Sequence, residues 1–174
     1  MQFLFRKTTT PKLYIQKNKM RVLLQRVREA SVQIDNSCVA AIDKGILLFV
    51  AFSWEDSLEL PKSQVWKKIL TKIPEIRIFP DQEGKSNYSL FQIQGDVLIV
   101  SQFTLYADCR KGRRPSYNKA STANIAEELY NKFISELDHI CPGKVKSGIF
   151  GAEMDISLCN WGPLTILLDS SELV

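Results

Sequence analysis

The chain has 174 residues, 45% hydrophobic and 24% charged, with a formal charge of +4, the size and composition of one soluble globular domain. No apolar run approaches the roughly 18 residues of a membrane span or forms a secretory core at the start, and four scattered cysteines with a single histidine offer no spaced zinc ligands. The expectation is a soluble cytoplasmic protein with no metal, its cysteines reduced and acting as small core residues.

Residues 1–19 hold Arg6, Lys7, Lys12, Lys17 and Lys19 and no acid, so the charge excess is concentrated there. The remainder is near neutral, and a polyanion must be held by a local patch. This basic extension reads as an organellar address, an RNA-contacting arm or a start placed too early.

Val22, Leu24, Val32 and Ile34 partly alternate, as in a strand with one wet face. Asp35-Asn36-Ser37 predicts a turn and Cys38 to Ile42 the returning strand. Ile46 to Phe52 is apolar throughout, which suits the centre of a sheet. Pro61 fits the first turn of a helix, in which Trp66, Ile69, Leu70 and Ile73 form one face until Pro74 ends it.

Ile76 to Phe79 reads as a short strand, Pro80 to Lys85 as a turn, and Asp96 to Phe103 as a further strand. Ser121, Thr122 and Asn124 are candidate caps of a second helix, Asn124 and Glu127 being spaced as a capping box. Its apolar stripe is Ile125, Leu129, Phe133 and Leu137 with Tyr130 and Ile134. His139, in its last turn, reads as solvated and compatible with the helix dipole. Pro142-Gly143 breaks the chain. Ile149 to Leu158, irregular at Gly151, and Leu164 to Leu168 read as strands, with Gly162-Pro163 as the turn between them. Strands outnumber helices, so the predicted fold is α+β: a curved, mostly antiparallel or mixed sheet covered by two main helices, in a single domain.

One stretch carries chemistry. Ser101-Gln102-Phe103-Thr104 ends an apolar strand in hydroxyl, amide and aromatic groups, and Arg110-Lys111-Gly112-Arg113-Arg114 follows. Such groups can orient a reacting carbonyl, support a ring and hold a polyanion. Arg110, Lys111, Arg113 and Arg114 are the candidate phosphate contacts. Thr104 as the nucleophile of a small-ester hydrolase would need a base that the sequence does not supply, and a structural hydrogen bond is its plainer role.

Ser101-Gln102-Phe103-Thr104-Leu105-Tyr106-Ala107-Asp108 and, further on, Asn160-Trp161-Gly162-Pro163-Leu164-Thr165 resemble, in order, the two signatures of the D-aminoacyl-tRNA deacylase family. The resemblance runs from Met20 to about Ser170, which makes Met20 the expected initiator and residues 20–174 the domain. It implies hydrolysis of D-aminoacyl-tRNA to D-amino acid and tRNA, rejection of L-aminoacyl-tRNA, clearance of some glycyl-tRNA, and no cofactor. It also implies that the 2′-hydroxyl of the RNA assists while Ser101, Gln102, Phe103 and Thr104 position the substrate, and that Ala126 and Met154 line the pocket. In the family Gly-Pro is a cis dipeptide that excludes L-amino acids, so Gly162 and Pro163 are expected to enter the pocket of a partner in a homodimer. Ser86, Trp161 and Leu164 depart from the family pattern. A non-catalytic tRNA-binding module of the same fold is the alternative.

Overall fold

A computed structural model describes residues 19–173; the basic extension, Lys19 apart, lies outside the described residues. Strand β1 (Arg21–Ile34) organises the sheet. One edge of β1 pairs antiparallel with β2 (Ser37–Ile42) through Ala30–Ile34 and with β3 (Gly45–Ala51) through Arg21–Val27. Its other edge pairs with a long strand near the C-terminus, Asp155–Asp169. Asp35 and Asn36, at φ 49° and 61°, form the hairpin turn, a left-handed pair that short polar side chains tolerate. Ser37 already belongs to β2.

Helix α1 (Gln64–Glu75) begins at Ser63, whose Oγ accepts a hydrogen bond from Trp66 N–H at 3.2 Å. Pro61 therefore lies in a separate 3-10 turn, Leu60–Lys62, ahead of the helix. Pro74 sits inside the last turn, where only one backbone hydrogen bond is lost, and Ile76 N–H still reaches Lys72 O at 2.9 Å. The expected strand from Ile76 shrinks to β4 (Phe79–Pro80), paired with β5 (Ser86–Tyr88). A one-turn helix, α2 (Leu90–Ile93), follows. Neither β5 nor α2 is long enough to show a period.

Strand β6 (Asp96–Ser101) runs parallel to β3 and ends before Phe103, two residues earlier than expected. The central position of β3 matches its apolar run, since every residue in it except Phe49 is buried. Helix α3 (Ala123–Ile140) starts after Thr122, so Asn124 lies within its first turn and the expected Asn124–Glu127 capping box does not form. Leu129, Tyr130, Phe133 and Leu137 are buried as predicted. The helices meet over the sheet where Phe133 packs edge-on to Trp66 at 5.4 Å.

Strand β7 (Val145–Ser147) adds parallel to β6, completing a mixed sheet. Residues 149–154 are loop, and the C-terminal strand, β8, is continuous from Asp155 to Asp169. Gly162-Pro163 is thus a bulge within a strand. Gln25 pairs with Thr165 and Val27 with Asn160, leaving Trp161 to Leu164 opposite Arg26 alone. Cys38, Cys109 and Cys159 are exposed, so the expected core role is not taken up by them, whereas Cys141 packs partly buried against the core; all four are free.

Candidate active site

At the end of β6 the pairing with β3 gives out. Gln102 N–H still donates to Val50 O at 2.8 Å, and the chain then coils into a 3-10 turn, Phe103–Tyr106. Beside this junction lies a cavity of about 440 Å³ whose lining includes Ser101, Gln102, Phe103, Ala126, Phe150 and Met154. It draws on the end of β6, the first turns of α3 and the loop before β8, so residues far apart in sequence converge. Among the described residues, none that lines it has an ionisable side chain. A second cavity of about 500 Å³, beside Glu29, Asp43 and Lys144, contains no residue of either signature stretch and offers no comparable set of hydroxyl, amide and aromatic groups.

Thr104 is not part of the cavity lining. Its Oγ1 accepts a hydrogen bond from Gln102 Nε2. A primary amide has two N–H donors and one carbonyl acceptor, so this bond fixes the amide while leaving one donor and the oxygen for another partner. Arg21 braces the turn from behind: its Nη1 donates to Leu105 O at 2.9 Å, its Nε to Asp169 Oδ2 at 2.8 Å, and its guanidinium lies 4.7 Å from the Tyr106 ring centre. The buried Tyr106 hydroxyl has no hydrogen-bond partner among the described residues. Burial, then the charge of Asp56, pushes it well above the usual phenol range, which keeps it neutral.

The basic stretch is a tongue closed at its base by backbone hydrogen bonds between Asp108 and Ser116, at 2.8 and 3.0 Å. Arg110 folds back onto Asp108, and its hydrogen bonds hold that carboxyl well below the usual range. Lys119 approaches the same carboxylate at 3.5 Å. Lys111, Arg113 and Arg114 are exposed and, among the described residues, make no ion pair. Of the four predicted cations, three therefore remain available to an external anion.

The Gly162-Pro163 bond is cis, and both residues are exposed on the β8 bulge. Asn160 clasps the bulge through both side-chain atoms, Nδ2 to Leu164 O at 3.1 Å and Oδ1 from Leu164 N–H at 3.2 Å. Arg26 holds it from β1, donating from Nε to Trp161 O at 2.5 Å and from Nη1 to Ile78 O. The dipeptide does not line the cavity of its own chain. His139 is exposed at the end of α3, where its ring contacts Ser135 O, and it too is absent from the cavity lining.

Arg21 and Arg26 were not singled out in the sequence. The carbonyls they reach lie 84 and 135 positions away, so no local pattern marks them. Among the described residues, no group of three His, Cys, Asp or Glu side chains is placed to hold a metal ion, and no helix is long and apolar enough to cross a membrane.

The family model described as D-Tyr-tRNA(Tyr) deacylase matches residues 23–169. The chain is 50% identical over 154 residues to the D-aminoacyl-tRNA deacylase of Solidesulfovibrio magneticus, covering 88% of this chain and 98% of that one. Against the D-aminoacyl-tRNA deacylase of Aquifex aeolicus the identity is 43% over 154 residues, with 88% and 100% coverage. Among solved structures it is similar to a c-Myc DNA Unwinding Element Binding Protein, at TM-score 0.76 and 35% identity over 85% of this chain and 97% of that one.

Proposed function

The chain belongs to the D-Tyr-tRNA(Tyr) deacylase family, and from this we infer that it hydrolyses the ester bond of D-aminoacyl-tRNA, releasing the D-amino acid and free tRNA. The observation that carries the reading is the cavity in which Ser101, Gln102 and Phe103 meet Ala126 and Met154. A lining without ionisable groups has no general base to activate a hydroxyl, so a side-chain nucleophile is unsuited to it. It suits a reaction in which the RNA's 2′-hydroxyl assists and the protein contributes position and fixed dipoles.

In this reading Gln102, oriented by Thr104, offers its remaining N–H and carbonyl oxygen to the ester or the ribose, and Phe103 supports the terminal adenine. Ala126 and Met154 bound the space for the amino acid. Arg113 and Arg114, with Lys111, hold phosphates. Gly162 and Pro163 act in a homodimer: projecting from β8, they enter the partner's cavity and present backbone oxygens to the substrate α-carbon, where an L-side chain would collide. Exclusion of this kind is independent of side-chain size, which suits an enzyme with many D-substrates and leaves glycyl-tRNA admissible. The cytoplasm, where aminoacyl-tRNA is made and used, is its place of action.

The test is hydrolysis of D-tyrosyl-tRNA and L-tyrosyl-tRNA by the purified protein with a chelator present. Rapid release of D-tyrosine with L-tyrosyl-tRNA spared is the expected result. Equal hydrolysis of both, or of neither, overturns the reading.

A further inference from the structure

We propose that Trp54 and Tyr117, together with the basic tongue, form a stacking platform for the unpaired nucleotides that precede the esterified adenosine. The proposal rests on the deacylase reading and extends the site beyond the cavity. Trp54 is 64% exposed, Phe103 54% and Tyr117 39%. A tryptophan so exposed contributes little by burial, and its ring is available to a planar partner.

The three aromatics are joined by short-range structure. Phe103, at the cavity, meets the Tyr117 ring edge-on at 5.1 Å. Tyr117 directly follows Ser116, which closes the tongue, and its carbonyl accepts from Ala120 N–H at 2.9 Å. Ser53 then bridges Ala120, with Trp54 N–H donating to Lys119 O at 3.0 Å and Ser121 N–H to Phe52 O at 2.9 Å. Phe52 and Ser121 line the cavity. Trp54 and Lys119 are each two residues away from them along this small ladder, and the tongue adds Lys111, Arg113 and Arg114. Aromatic rings beside cations, continuous with a pocket for the terminal nucleoside, match the chemistry of a single-stranded RNA end: π-faces for bases and positive charge for phosphates.

The test uses the full chain. Trp54→Ala is expected to lower kcat/KM for D-tyrosyl-tRNA about tenfold and to leave hydrolysis of the D-tyrosyl ester of adenosine, which lacks the preceding nucleotides, unchanged. Trp54→Phe should restore most of the loss. Equal rates for parent and Trp54→Ala on tRNA, or an equal fall on both substrates, would overturn the platform. A separate titration does not depend on catalysis: single-stranded RNA ending in CCA should quench tryptophan fluorescence in the parent and in Trp66→Phe and Trp161→Phe, but not in Trp54→Phe. If D-tyrosyl-tRNA is not hydrolysed at all, the deacylase reading fails and this titration alone decides the platform. Quenching that persists in Trp54→Phe, equal quenching by duplex RNA, or a Trp54→Ala protein whose mass by light scattering falls from dimer to monomer would each count against it.

Discussion

Replacing Thr104 by valine preserves the side-chain shape and removes one hydroxyl. In the structure that hydroxyl accepts from Gln102 Nε2 and is not part of the cavity lining. Loss of a neutral hydrogen bond costs about 0.5–1.5 kcal/mol. At about 1.4 kcal/mol per tenfold in rate, the single-turnover rate on D-tyrosyl-tRNA, measured with enzyme in excess, should fall about threefold to tenfold. Thr104→Ser, which retains an acceptor, should recover most of it. A true nucleophile behaves differently, since its removal costs on the order of a millionfold. A fall beyond about a thousandfold, well outside the cost of one hydrogen bond, or isolation of an aminoacyl ester on Thr104, would refute the positioning role.

Replacing Arg113 and Arg114 with alanine should weaken tRNA binding across sequences and flatten the log-log salt dependence by roughly one to two; an unchanged slope in filter-binding titrations would make the tongue a solvated turn. At Gly162, an added Cβ would lie 2.0 Å from the Leu164 amide nitrogen and 2.9 Å from Asn160 Oδ1. Gly162→Ala should therefore break the Asn160 clasp and displace the bulge, with deacylation falling at least about tenfold, the loss of a hydrogen bond or two, in a protein whose circular dichroism is unchanged. Parental activity in that variant would remove the bulge from the site. Burial, then the charge of Asp138, pushes the Cys141 thiol up to about 12. Folding favours the protonated thiol, so this contribution to stability is full below about pH 9 and is lost as pH rises toward 12. At pH 8, alkylation mapped by mass spectrometry should modify the exposed Cys38, Cys109 and Cys159 well before Cys141; equal rates would contradict its burial.

Much of the fold was legible because it depends on local periodicity. The alternation in β1, the apolar run of β3 and the buried stripe of α3 are written in neighbouring residues, and each element formed where its pattern predicts. Boundaries were less legible. Ser63 rather than Pro61 starts α1, because a side-chain acceptor for Trp66 N–H decides where the helix begins. Strand β8 runs through Gly162-Pro163 because β1 continues to pair on either side of the bulge, whereas a turn composition read locally predicts a break.

For the site, the sequence alone determined the chemical groups: hydroxyl, amide and aromatic at the end of an apolar strand, a cluster of cations after it, and a second motif that is recognisable by its order of residues. Tertiary structure decided which of them share a cavity. Ser101, Gln102 and Phe103 face it with Ala126 and Met154, while Thr104 turns to Gln102 and Arg110 is drawn back to Asp108. It also recruited Arg21 and Arg26, whose carbonyl partners become neighbours only when β1 pairs with β8 and the turn after β6 packs against it. The physical reason is that periodicity and capping act within a few residues of the chain, whereas a hydrogen bond or a cavity wall depends on distance in space, which is set only once the sheet has closed its long-range pairings.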